Sequence, residues 1–460
     1  MSRVRADKFT NRLGSGSPTF SEGVNIVGVT SIGGNVGVGS TSLVVNGDVR
    51  ITGVLTADQG ITNINVSGAC TIGVASATNL TVGDVTFPTA GSFGRRNLID
   101  NGGMRVAQRA SSVTGLQNGT EGCRVVDRFH ITFGNGGSYN TVLTGAASSE
   151  VPNVGLTSSF KLTVTTNDTT ENDEFLNIGQ GIENRTIKGS GWNYRDPNSN
   201  LVLSFWARTS VGGTYSVTAR DWEAFDTPFY YTQKIDLEAN VWKHNILTIP
   251  GHPKLNFNFD STLGFSLRWY LAAGPSRNDA TVGMGWTEGA EFQAHDGQVD
   301  WAATNGATFN LTGVQLEVGD TATPFELRSW DDEIRDCGYF YQKSYEYDTQ
   351  PGTATQVGAI YERITASDEI GHRCPQVEYK VPIRNTSSSG TIFEPILYSL
   401  NGTASRVSDC NTGFSHAANE TYGDLPGASS NGFSAIDLSA SSGPIIGFHY
   451  TIDAEFTSSP

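Results

Sequence analysis

The sequence predicts an all-β protein: a repetitive, trimeric β-rich N-terminal shaft, a jelly-roll β-sandwich and a C-terminal β tip. Three observations carry that expectation. Glycine supplies 54 of the 460 residues, well above the usual ~7%, and without the three-residue period of collagen it marks many tight turns. Several segments alternate apolar and polar residues with period two. Helix signals are nearly absent outside one short stretch.

Composition sets the outer bounds. With 37% hydrophobic and 17% charged residues, the chain has enough apolar material to fold and too little charge for charge-driven disorder. Thirty basic against 46 acidic residues give a net charge of −16, a field that repels phosphate backbones and anionic headgroups. Nucleic acid is therefore not an expected partner. No apolar run approaches the ~18 residues that span a bilayer, and no apolar stretch follows the basic N-terminus, so neither membrane insertion nor a secretory signal is expected. Five cysteines (Cys70, Cys123, Cys337, Cys374, Cys410) at wide spacings fit neither a disulfide framework nor a CxxC metal site, and read as reduced, mostly buried thiols of a protein made in a cytosol.

Residues 1–92 alternate small β-branched residues with Gly, Asn, Ser and Thr. An imperfect repeat runs through them, as Val45–Ile51, Val66–Ile72 and Val82–Phe87, each copy two short alternations hinged on a glycine turn. Strands this thin have exposed edges and become stable by wrapping around identical neighbours, which predicts a three-chain shaft. A flexible Gly/Ser/Thr linker is the alternative, although a linker needs no repeated Val-x-Ile pattern.

Residues 93–347 hold the main core, with seven of the eight tryptophans between Trp192 and Trp301. Leu201, Leu203 and Phe205 alternate with Val202, Ser204, Trp206 and Arg208. Tyr215, Val217 and Ala219 alternate with Ser216, Thr218 and Arg220, and Phe265, Leu267, Trp269 and Leu271 with Ser266, Arg268 and Tyr270. One face is apolar and the other polar; with turn signals at Asn135–Gly137, Val211–Gly213 and Asn305–Gly306, the pattern is an antiparallel sandwich. The exception is Ser329–Ile334, a capping-box start followed by Ile334, Cys337 and Tyr341 at helical spacing.

Residues 348–460 read as strands again, at 376–383, 392–400 and 445–456. From 385 onward there is one basic residue, Arg406, against seven acids. The first twelve residues carry Arg3, Arg5, Lys8 and Arg12 against Asp7 alone. A basic root and an acidic tip suit a protein that docks at one end and probes with the other.

Chemistry is sparse. The seven histidines show neither HxxxH nor HExxH spacing, and the nearest metal-like pair, His372 and Cys374, lacks further ligands close by. The run Gly33–Gly39 resembles a phosphate loop but lacks its lysine and a following helix. No GxSxG elbow occurs. Asp221, Glu223 and Asp226 are the best acids for glycan cleavage, and a solvated loop explains them as well; neither an enzyme nor a cofactor is expected. Binding chemistry is better supplied. The alternation places Trp206, Arg208, Thr218, Arg220, Arg268 and Tyr270 on one side of a sheet, with Gln315 and Glu317 continuing it. Rings that stack on sugar CH faces beside hydrogen-bonding charged groups are what a carbohydrate site requires. The same residues suit packing or ion pairs between protomers, and that structural reading is the one expected, for Trp206 in particular. Receptor recognition is expected in the tip, residues 348–460, where the loops at 385–390 and 409–426 offer Phe414, His416 and Tyr422 as rings.

Three stretches together are similar to a known family. Phe93–Arg109 with Asp127-Arg128-Phe129, residues 201–222 and residues 308–343 resemble the start, middle and end of the carbohydrate-binding-module-like jelly roll of bacteriophage tail fibre proteins. Residues 20–87 resemble the N-terminal shafts of structural proteins from tailed phages of marine cyanobacteria, and Gly447–Glu455 the last strand of many fibre tips. The resemblance implies a homotrimeric virion fibre made in the host cytoplasm, attached by its N-terminus to tail or baseplate adaptor proteins, with host surface polysaccharide bound distally. A purely structural fibre, baseplate or head-decoration component is the alternative, and a glycan-cleaving tailspike the third. The family supplies no catalytic residues.

Overall fold

In the computed structural model the described residues are 79–82, 85–88 and 95–456, except 121, 135–138, 224–228, 280–284, 289–292, 364–371, 374, 386–392, 426–427 and 439–444. Most of the repeat region, and with it the expected shaft, lies outside them. Of the third repeat copy, residues 82 and 85–87 are within: β1 (Asn79–Val82) pairs antiparallel with β2 (Val85–Pro88), Val82 opposite Val85.

The sandwich strands follow in chain order as β3 (Ser112–Leu116), β4 (His130–Phe133), β5 (Val142–Ser148), β6 (Ser159–Thr166), β7 (Phe175–Glu183), β8 (Asn200–Thr209), β9 (Gly213–Asp221), β10 (Phe229–Leu237), β11 (Lys243–Pro250), β12 (Leu263–Ala273), β13 (Asn278–Asp279), β14 (Thr287–Glu288), β15 (Ala294–His295) and β16 (Thr308–Val318). Twelve of them form two six-stranded sheets, β14-β10-β9-β12-β7-β4 and β11-β8-β16-β6-β5-β3, in which every pairing is antiparallel, while β13 and β15 make a separate parallel pair. The apolar members of each alternation meet between the sheets. Phe205 of one packs edge-on against Trp269 of the other, ring centres 5.4 Å apart, and Leu203, Phe265, Leu267 and Leu311 are fully buried around them. This is the all-β jelly-roll sandwich the sequence predicts.

Two local features depart from strict alternation. In β16 the register slips between Thr312 and Gln315, where Gly313 takes φ +61°. The bulge reverses the parity of the strand: Phe309 and Leu311 point inward before it, Val314 and Leu316 after it. The predicted helix is present as α2 (Trp330–Gly338), preceded by the one-turn α1 (Asn184–Lys188). Ser329 caps α2 by accepting a hydrogen bond from the Asp332 N–H at 3.1 Å. Its buried side is Glu333 and Cys337, whereas Tyr341, expected on the same stripe, begins a strand because the helix stops at Gly338.

That strand, β17 (Tyr341–Lys343), belongs to the C-terminal sheet. It is followed by β18 (Ile360–Arg363), β19 (His372–Arg373), β20 (Val377–Glu378), β21 (Ile396–Tyr398), β22 (Arg406–Cys410), β23 (His416–Thr421), β24 (Gly432–Phe433), β25 (Ile436–Asp437) and β26 (Ile445–Asp453). β26 is the hub and pairs with β17, β18, β21 and β22. A second core of Leu397, Val407, Phe433, Phe448 and Ile452 packs beneath it.

Residues 76–460 make one compact unit, and a buried ionic joint shows what ties its two cores together. Arg109 contacts Asp127 and Asp453, each at 2.9 Å. Arg128 pairs with Glu455 and, at 3.3 Å, with Asp100, donates to the Gly181 carbonyl at 2.8 Å, and lays its guanidinium over the Phe340 ring, 3.3 Å from the centroid. These arginines come from the stretches that carry the family resemblance. Arg95, Asn101, Met104 and Arg128 in those stretches all hold positive φ, a conformation bulky side chains adopt only when their surroundings impose it. The stretches therefore form a rigid clasp.

Candidate functional site

The outward face of the first sheet concentrates polar and aromatic groups. Three rows run from β10 toward β4. The first holds Tyr230, Arg220, Ser266 and Gly181. The second holds Thr232, Thr218, Arg268, Gly179 and His130, and the third Lys234, Ser216, Tyr270, Asn177 and Thr132. Glycine is needed at 179, where a Cβ would lie 2.7 Å from His130 Nε2; its absence lets the imidazole lie down on the sheet. Trp222, just past β9, continues the same side. Its half-buried ring carries the Arg220 guanidinium at 3.3 Å and the Arg268 guanidinium at 5.2 Å from its centroid, and its Nε1–H donates to Ser266 Oγ at 3.0 Å.

The segment around β15 crosses this face. Gln293 donates to the Tyr230 hydroxyl and accepts from that of Tyr270, at 3.2 and 3.0 Å. Thr218 donates to the Gln293 carbonyl at 2.6 Å, and the His295 N–H donates to Ser216 Oγ at 3.0 Å. Beside these satisfied groups stand others that are buried and unpartnered among the described residues: His130 Nε2, Thr132 Oγ1, both amide atoms of Asn177, and the Nε atoms of Arg220 and Arg268. Burial pulls the His130 pKa down to about 3, with Arg268 and Arg128 acting in the same direction, so the ring is neutral. Burial likewise lowers Arg220 to about 10, with Arg268 adding to the effect.

The structure divides the residues that sequence alternation had grouped. Arg220, Arg268, Tyr270 and Thr218 share the face just described. Trp206 and Arg208 lie on β8, on the outward side of the other sheet, and this corrects the single-face expectation: a period of two separates inside from outside without saying which sheet a strand joins. Trp206 stacks on His244 across the β8–β11 pair, centroids 4.9 Å apart. Arg208 pairs with Glu150 at 3.0 Å and donates to the Asn240 carbonyl. Gln315 and Glu317 share that second face because of the Gly313 bulge. Both are buried in holding the returning chain, Glu317 accepting from Thr323 N–H and Oγ1–H at 2.8 and 2.7 Å.

The tip rings do not converge on a comparable site. The Tyr422 hydroxyl accepts from the Leu397 N–H at 3.1 Å, and its ring packs against the second core. His416 is held between Ser408 and Asn401, at 2.9 and 3.2 Å. Phe414 is 45% exposed and meets Tyr361 edge-on. Of the loop at 385–390 only Asn385 is described. Asp221 and Glu223 accept structural hydrogen bonds, from Glu223 N–H and from the amides of Asn184 and Asn258 respectively; Asp226 lies outside the described residues, as do Cys374 and the side chain of His372. Among the described residues, no cluster of three potential metal ligands occurs, and no helix is long and apolar enough to cross a membrane. A cleft of about 800 Å³ runs along the ionic joint, lined by Arg109, Tyr341, Tyr398, Phe393, Asp453 and Phe456 among others, with Arg109 and Asp453 paired to each other.

Sequence reasoning missed Trp222, Tyr230, Gln293 and Asn177. The first was within reach, since the period of Ser216, Thr218 and Arg220 extends to it. Gln293 comes from a crossing segment with no periodic signal.

No known family profile matches the chain, and no curated protein matches it. Solved structures that resemble it include the enzymatically active domain of Bacteriophage CBA120 tailspike protein 4, 12% identical over 48% of this chain with a TM-score of 0.26. This chain covers 21% of that tailspike chain. A carbohydrate-binding module described as CBM4 is 13% identical over 48% of this chain and 99% of its own, with a TM-score of 0.24. A putative sugar binding protein from Bacteroides thetaiotaomicron is 14% identical over the same shares, with a TM-score of 0.26. Likenesses this distant assign neither a ligand nor a reaction to this chain.

Proposed function

We propose that this chain is a bacteriophage fibre protein, without enzymatic activity, whose sandwich binds host-surface glycan on the outward face of the β10-β9-β12-β7-β4 sheet. The observation that carries the glycan reading is the coincidence, on one face, of a half-buried tryptophan with buried hydrogen-bonding groups that lack partners among the described residues. An unpaired buried polar group costs about 1–3 kcal/mol, and such groups need an explanation when they cluster. A sugar supplies what they lack, since its hydroxyls both donate and accept while its CH face stacks on an aromatic ring. The tip offers less, because the polar atoms of His416 and Tyr422 already have partners. The fibre role rests on the N-terminal repeats and the resemblance of the clasp stretches, with residues 1–92 forming the trimeric shaft that docks to tail or baseplate adaptor proteins.

The test is glycan-array binding by the full chain and two variants. Trp222→Ala should abolish binding in a protein that still folds, its melting temperature lowered by the loss of two ring contacts and the Ser266 bond. Phe414→Ser, at the exposed ring between β22 and β23, should leave binding intact. Binding that survives Trp222→Ala and disappears with Phe414→Ser would place recognition in the tip and refute the assignment.

A further inference from the structure

Arg220 and Arg268 set this face apart from a platform for neutral sugar. They are 8% and 4% exposed, yet among the described residues neither has a carboxylate within ion-pair distance. The other buried arginines show how the fold normally treats such a charge. Arg109 meets Asp127, Asp453 and Glu455, Arg128 meets Asp100 and Glu455, and Arg328 meets Asp100, Glu326 and Asp336. Arg384 gives its donors to the carbonyls of Ala454, Ser261 and Glu455. Arg220 and Arg268 instead share the face of one indole, with Arg268 also hydrogen-bonded to the neutral Tyr270, and their Nε–H groups, like that of Arg328, meet no acceptor among the described residues.

Two cations held near each other without a counter-charge destabilise the fold, and a stacked guanidinium is a preformed fork for a planar or tetrahedral anion. Around them the other groups are neutral hydrogen-bonders: His130, Asn177, Thr132, Tyr230 and Tyr270. Trp222 forms the accessible rim. We infer that the site takes an anionic sugar unit, its carboxylate or sulfate oxygens held by Arg220 and Arg268 and its ring lying against Trp222. This rests on the glycan-binding reading above and names the class of glycan.

The protein's net charge of −16 disfavours non-specific polyanion binding, and substitutions at Arg220 and Arg268 separate this site from the basic N-terminal root, which they leave unchanged. Affinity electrophoresis or calorimetry of the full chain would compare polygalacturonate with its methyl ester, and dextran sulfate with dextran. The acidic member of at least one pair should bind about tenfold or more tightly than its neutral counterpart; which pair responds tells carboxylate from sulfate. Arg220→Gln and Arg268→Gln should each weaken that binding at least about tenfold. Neither should lower the melting temperature, since each removes an uncompensated buried cation. Arg268→Lys keeps the charge and loses the fork, and should weaken binding severalfold in a protein that folds normally. Equal binding of both members of each pair would overturn the anionic assignment and leave the glycan reading standing. Polyanion binding indifferent to all three variants would overturn the assignment to these arginines. Binding to none of the four polymers would overturn both readings.

Discussion

Replacing Arg128 by alanine tests whether the ionic joint holds the C-terminal sheet to the sandwich. The side chain is 2% exposed and is lost together with four interactions: the pair with Glu455, the pair with Asp100, the bond to the Gly181 carbonyl and the stacking on Phe340. The acids left behind are unequally served. Glu455, 8% exposed, retains Arg109 at 3.7 Å, and Asp100, 29% exposed, retains Arg328 at 3.9 Å. Removing one partner of a buried pair costs about 3–5 kcal/mol; partial compensation by Arg109 pulls toward the lower end and loss of the ring contact, about 0.5–2 kcal/mol, pushes back. We expect a loss of about 4 kcal/mol, a large part of the roughly 5–15 kcal/mol by which a domain is stable. Urea unfolding followed by circular dichroism measures it, and hydrogen exchange locates it: protection should fall first in β26 and β17. The cycle with Glu455→Ala should give a coupling of about 2 kcal/mol, within the range found for contacting residues. An unchanged urea midpoint with intact protection of 445–453 would show that the joint is ornamental.

Other expectations follow from single contacts. For His130, the folded-state pKa of about 3 lies below its ordinary 6.5, so the unfolded chain binds the proton first as pH falls. Stability is then fully present above about pH 6.5 and is lost toward pH 3, by at most about 1.4 kcal/mol per pH unit; melting temperatures of wild type and His130→Gln should diverge over that window. Gly102→Ala should destabilise by several degrees in a thermal melt, because a Cβ there would lie 2.0 Å from the Val314 carbonyl oxygen. Lys343→Met should cost about 3 kcal/mol in urea, since it orphans the carbonyls of Gln108, Tyr347 and Thr349 that now accept from its ammonium. Sedimentation should find three chains for the whole protein and one after removal of residues 1–92.

Much of the sandwich was legible because period two survives burial. Leu203, Phe205, Leu267 and Trp269 are inward as the alternation requires, and α2 starts at the serine its capping box marks. What was not legible depends on pairing between distant strands. Nothing local in β8 and β9 tells that Trp206 and Arg220 end on opposite sides of the molecule. Nor does anything local announce the bulge that turns Gln315 and Glu317 outward, beyond a glycine among many. Arg109 and Asp453 are 344 residues apart, so the clasp reads in sequence as a motif without a purpose. The buried, unpartnered atoms of Asn177 and Arg268 are a property of three-dimensional surroundings, and no spacing encodes them.

The position of β26 has a consequence for biosynthesis. This strand is the partner of β17, β18, β21 and β22, and the Asp453 and Glu455 that close the joint lie at or just beyond its end. It emerges from the ribosome after every strand it pairs with, Tyr341 waiting 112 positions for Asp453. Until then four strands have open edges, the condition in which nascent chains pair with the wrong neighbour. The sandwich strands precede all of this and can close while translation continues, so the C-terminal sheet is expected to form last and to be the part through which overexpressed protein is lost to inclusion bodies.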